Sequence, residues 1–147
     1  MPGNKEYTPK PPVTKLPVNS PCCPAYEGAE PPDPDAIFIS SVPEVIQSTR
    51  YSCGASSLQA VLRFWGFCVE ERDLMTRLET SPGRGTDPEK IVSIASSYGL
   101  DAYLSQQVTT KDLTESLKQG VPVIVIAQAW NGDEENGIWI TVDPDRY

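Results

Sequence analysis

Proline divides this chain. Eleven of its fifteen prolines fall within the first 43 of 147 residues, and each removes a backbone donor and fixes φ near −65°. A stretch so rich in proline and so poor in aliphatic side chains cannot bury enough apolar surface to offset its ordering entropy. Residues 1–35 are therefore expected to form an extended or disordered tail, with a single domain over 36–147. The apolar share of 39% agrees with a chain of which part lies outside any core.

The net charge is −8 with no cluster of Lys or Arg, which argues against nucleic acid as a partner, since phosphate neutralisation drives that binding. No apolar run reaches the roughly 18 residues of a membrane span. The opening Met1-Pro-Gly-Asn-Lys-Glu has no signal-peptide character, so a cytoplasmic protein is expected. The four cysteines are Cys22, Cys23, Cys53 and Cys68. They show no Cys-x-x-Cys spacing, and with no histidine a zinc site would need all four thiolates together. No metal or cofactor is expected. Without a secretory signal a disulfide framework is not expected either, and Cys68 reads as a small buried hydrophobe.

Beyond the tail, Ala36-Ile-Phe-Ile-Ser reads as a short strand or an apolar anchor, and Gln47 to Ser52 as a polar loop. From Cys53 to Trp65, Ala55, Leu58, Leu62 and Trp65 recur at helical steps with Val61 beside them, and Gly66 supplies a stop. A shorter helix is expected from about Glu70 to Leu78. Ser81 to Thr86 is turn chemistry, without the Gly-Lys-Ser/Thr ending of a phosphate loop. Asp87-Pro88-Glu89 marks a capped helix start, Ile91, Ile94, Ala95 and Tyr98 form its apolar face, and Gly99 ends it. Ala102 to Val108 predicts a strand. Thr109 or Thr110 caps a further helix that closes at Gly120. Val121 to Ala127, an unbroken apolar run, predicts a strand buried on both faces. Asn131 to Gly137 reads as an acidic, solvated loop, and Ile138 to Val142 as the last strand. The order predicts an α+β domain with a small, mainly antiparallel sheet.

Chemistry concentrates at Gln47-Ser-Thr-Arg-Tyr-Ser-Cys53-Gly54-Ala-Ser-Ser-Leu. A cysteine that opens a helix meets unpaired backbone N–H groups and the positive end of the helix dipole, which favour negative charge there. The same N–H groups can stabilise an oxyanion on a carbonyl under attack. Gly54 permits close approach of the chain, and the Gln47 amide can supply a second donor. A glutamine six residues before a helix-opening Cys-Gly resembles the nucleophile motif of papain-like peptidases. The continuation Cys-Gly-Ala-Ser-Ser-Leu-Gln-Ala-Val-Leu-Arg-Phe-Trp-Gly, and the ordered elements from Val45 to Trp130, are similar to the bacteriocin-processing cysteine peptidases, family thirty-nine, which act on double-glycine leaders.

The resemblance implies a papain-like fold, a peptide or protein substrate, and hydrolysis through a thioester. Cys53 would be the nucleophile, Gln47 the oxyanion donor and Asp143 the acid that orients the base. The base itself departs from the pattern: the family places a histidine at the start of its next strand, and this chain has none. In one register Ile138 occupies the histidine's place. In the other, preferred because an aliphatic strand runs into Asp143-Pro144, the histidine strand is missing and the C-terminal strands are incomplete. Two alternatives therefore stand beside the peptidase: a non-catalytic peptide-binding module of the same fold, and a truncated product of an active peptidase.

Overall fold

The computed structural model describes residues 34–39, 42–106 and 109–126 in full, and the backbone of 138–143. All but the last two residues of the expected 1–35 tail, Cys22 and Cys23 included, and the acidic loop Asn131 to Gly137 lie outside the described residues.

Three helices build the core. Helix α1 (Cys53–Phe64) buries Ala55, Leu58, Val61, Leu62 and Phe64, and α2 (Glu71–Arg77) contributes Leu74. Helix α3 (Pro88–Ser97) adds Ile91 and Ala95. Leu58, Leu62, Leu74, Leu78, Ile91 and Leu100 are all fully or almost fully buried, so the leucine periodicity of the sequence converges on one apolar centre. At roughly 25 cal/mol per Å² of apolar surface removed from water, this cluster is the main source of cohesion. Two side-chain contacts orient the helices around it. Gln59, itself buried, donates from Nε2 to the Val69 carbonyl at 2.9 Å and so fixes the link between α1 and α2. Arg77 donates to Tyr98 Oη and Ser97 Oγ, each at 2.9 Å, which joins α2 to the end of α3.

The boundaries follow local chemistry. Asp87 accepts from the Glu89 N–H with Pro88 at the first helical position. Thr109 and Asp112 form a reciprocal capping box at the start of α4 (Thr110–Lys118), which satisfies two otherwise orphan donors. Gly66, in the left-handed region at φ 91°, lets the Phe67 N–H reach back to the Leu62 carbonyl and closes α1. Only glycine enters that region without strain.

Strands β1 (Asp101–Ser105), β2 (Val123–Ile126) and β3 (Ile138–Asp143) form an antiparallel sheet in the order β1-β3-β2. Helix α3 packs on β1 and β3, and α4 against β2. Helices and antiparallel strands thus occur together as the sequence predicts, with one correction. Strand β2 is not buried on both faces: only Ile124 is buried, and Val125 is 45% exposed. The physical reason is its position, since among the described residues β2 pairs on one side alone, with β3. Residues 36–39 form no strand; Ile37 and Phe38, each a little over 40% exposed, instead act as an apolar anchor. They line a groove of about 380 Å³ with Ala60 of α1, Leu117 of α4, and Val123 and Val125 of β2.

Candidate functional site

Cys53 is the first residue of α1, exposed and free. Ser52, which precedes it, does not cap the helix with its side chain. Its Oγ accepts from the Thr49 N–H at 3.1 Å and donates to the Thr49 carbonyl at 3.3 Å. The hydroxyl that ordinarily satisfies a first-turn N–H is thereby turned back into the preceding loop. No acidic side chain stands in the first turn of α1 to offset the helix dipole.

Gln47 lies in that loop, exposed, and its Nε2 donates to the Thr49 carbonyl at 2.6 Å. The amide on which oxyanion stabilisation would depend is therefore held by its own loop. Asp143 is the last residue of β3, in register with Asp101 of β1, and its side chain lies outside the described residues. Ile138, the position given to the histidine in one register, opens β3 and pairs with Ile126.

Gly54 explains itself here. A Cβ at this position would stand 2.7 Å from Thr86 Cβ and 2.9 Å from Thr86 Oγ1, closer than such atoms approach. The absent side chain lets the turn over Ser81 to Thr86 rest on the start of α1. That turn is closed by a bridge between Ser81 and Gly85 and by a 2.8 Å hydrogen bond between the hydroxyls of Thr80 and Thr86. One wall beside Cys53 is thus a segment that the sequence offered only as a turn.

A second feature escaped sequence reasoning. Glu71, in the first turn of α2, accepts from the Ser48 N–H at 3.1 Å with each carboxylate oxygen, and from Ser56 Oγ at 2.6 Å. Partial burial pushes its carboxyl upward. The hydroxyls of Ser48, Ser56 and Ser52 and the Ser48 N–H outweigh that effect and hold it at about 2, down from 4.5. Since the folded value is depressed, the contribution of Glu71 to stability is complete above about pH 4.5 and is lost as pH falls through about 2. The stability difference between wild type and Glu71→Gln is accordingly expected to shrink across that window. Urea titrations at pH 6, 4 and 2.5 check it; a constant difference would contradict this linkage.

Cys68 corrects an expectation. It is disulfide-bonded and half-buried, not a buried free thiol. Such a bond needs a second sulfur within a few ångströms, and the sequence spacing of these cysteines does not announce that proximity. Among the described residues no group of three or more His, Cys, Asp or Glu is arranged to hold a metal ion, and no helix is long and apolar enough to cross a membrane.

A free cysteine at a helix start, followed by glycine and preceded by an amide-bearing loop in an α+β domain, is the arrangement expected of the cysteine-peptidase class. The sequence comparison agrees with that class: a family model described as the Peptidase C39-like family matches residues 39–142. The chain belongs to the Peptidase C39-like family. No curated protein and no solved structure matches it.

Proposed function

We propose that this is a papain-like, cysteine-peptidase-like domain that receives a peptide carbonyl at Cys53. Sulfur adds to the carbonyl carbon as solvent water takes the thiol proton, and the Gln47 amide and first-turn N–H groups of α1 stabilise the oxyanion. Collapse to a thioester expels the amine, whose nitrogen takes a proton back from water, and a second water hydrolyses the thioester to the acid and restores the thiol. An amide nitrogen carries two hydrogens, so the bond from Gln47 to Thr49 leaves one for the oxyanion. Asp143 occupies the place that the family pattern gives to the orienting acid, and with no histidine in the chain it has no ring to orient. A peptide or protein is the substrate class, and neither metal nor cofactor enters the proposed chemistry.

The observation that carries this reading is the exposed, free thiol of Cys53 on a helix terminus that its neighbouring serine leaves uncapped. Histidine is absent from the chain, so no imidazole removes the thiol proton or protonates the leaving amine. In subtilisin, loss of the catalytic histidine costs about a million-fold in kcat, and slow turnover is the expectation here. Incubation with a peptide carrying a Gly-Gly site is expected to give a slowly formed acyl adduct on Cys53 by mass spectrometry, absent from Cys53→Ala. Equal cleavage by the variant, or no adduct at all, would overturn the proposal.

One observation favours the non-catalytic module as a second reading. The apolar groove includes Ser57, four residues beyond Cys53 and hence on the same side of α1 about 6 Å along its axis. A peptide lying in the groove reaches the nucleophile's neighbourhood without reacting. Peptide binding that survives Cys53→Ala, with no adduct on wild type, selects this reading.

A further inference from the structure

The side chain of Glu71 belongs to α2, yet its hydrogen bonds are made with two other parts of the site. Ser48, whose N–H lies 3.1 Å from both carboxylate oxygens, directly follows Gln47. Ser56, whose hydroxyl donates at 2.6 Å, lies in the first turn of α1, three residues beyond Cys53. One carboxylate therefore joins the loop before the nucleophile to the helix that bears it. Further bonds lie within the loop: Gln47 Nε2 to the Thr49 carbonyl, the Thr49 N–H to Ser52 Oγ, and the Tyr51 N–H to Thr49 Oγ1. They give the loop its shape, and Glu71 sets where that shape sits against α1.

The chemistry of the contact selects a carboxylate. The Ser48 N–H and the Ser56 hydroxyl both donate to it, and an ionised carboxyl is acceptor on both oxygens. A glutamine of the same shape replaces one acceptor by an NH2 donor, which faces the Ser48 N–H in either orientation and the Ser56 hydroxyl as well in one of them. Hydrogen bonds to an ionised partner are also shorter and stronger than neutral ones.

We propose that Glu71 is a positioning residue: its carboxylate fixes Ser48, and through it the amide of Gln47, relative to Cys53, so that a forming oxyanion meets a donor already in place. A preorganised donor costs no reorganisation at the moment of reaction. This assignment rests on the peptidase-like reading of Cys53.

The test uses the full chain and a peptide aldehyde ending at a Gly-Gly site. The thiol adds across the aldehyde carbonyl, sulfur bonding to carbon and the thiol proton passing to oxygen, so the adduct's oxygen reports on the donors. Iodoacetamide alkylates the same sulfur by displacing iodide and forms no oxyanion. Glu71→Gln is expected to weaken aldehyde uptake about tenfold, as is Gln47→Ala, with the double variant no weaker than either alone. Alkylation by iodoacetamide stays at the wild-type rate. Ser56→Ala, which removes one bond and spares the carboxylate, is expected to give a smaller loss of about threefold, and it answers the question if Glu71→Gln fails to fold. Aldehyde uptake by Glu71→Gln equal to wild type, a parallel fall with both reagents, or losses that multiply in the double variant would overturn the assignment of Glu71 alone. Wild type that takes up no aldehyde overturns the peptidase-like reading and this assignment together.

Discussion

Leu58→Ala is expected to lower the stability of the fold by about 3 kcal/mol, within the range measured for leucine truncations in closed cores. Leu58 is fully buried in the cluster shared by α1, α2 and α3. Removing its branched end forfeits transfer energy and leaves a cavity whose walls are held from three directions, so collapse is restricted. Against a total stability of about 5–15 kcal/mol for a domain of this size, this loss should move the urea midpoint strongly while the slope is unchanged. Because Cys53 is already exposed, its alkylation under native conditions should change little in the same variant. A loss below about 1 kcal/mol would mean that the neighbouring helices close over the gap, and that the cluster is looser than its burial indicates.

That core was legible in the sequence because periodicity and punctuation coincide in it. The spacing of Leu58, Leu62 and Ala55 placed α1 correctly, Gly66 ended it, and Asp87-Pro88 began α3 at the residues observed. Each of these signals acts over one helical turn, which is why it can be read without tertiary information. Strand β2 failed on the complementary ground. Its run of valine and isoleucine fits burial on two faces, but exposure of Val125 depends on which neighbours the sheet supplies, and pairing partners are remote in sequence.

The site divides the same way. The helix start at Cys53 and the small residue that follows it were legible because both are local facts. Gln47 stands out by its spacing to Cys53, and the structure places its amide against the Thr49 carbonyl. Glu71 falls within the short helix expected from about Glu70, with nothing in the sequence to single it out. Its bond to Ser48 spans 23 positions, and no local pattern encodes a contact of that kind. The Thr86 wall was missed for a similar reason, since nothing in Ser81 to Thr86 says which helix the turn will touch.

That wall supplies the second large effect. Gly54→Ala is expected to destabilise the domain by about 1–2 kcal/mol, although alanine is the better helix former by about 1 kcal/mol. The added Cβ would meet three Thr86 side-chain atoms at 2.7–3.1 Å. Thr86 has little freedom to retreat: its β-branched side chain is stiff at χ1, its hydroxyl is bonded to Thr80, and the next residue is the N-cap of α3. The cheapest relief is for the whole turn to lift from the start of α1. Thr86→Gly in the Gly54→Ala background removes all three atoms in conflict, the Cβ included, and should recover much of the loss, giving a coupling of about 1 kcal/mol in a double-mutant cycle. Thermal unfolding of the four proteins measures it. Additive effects would show that the turn accommodates the new methyl group without help, and that residue 54 needs to be glycine for some reason other than the approach of Thr86.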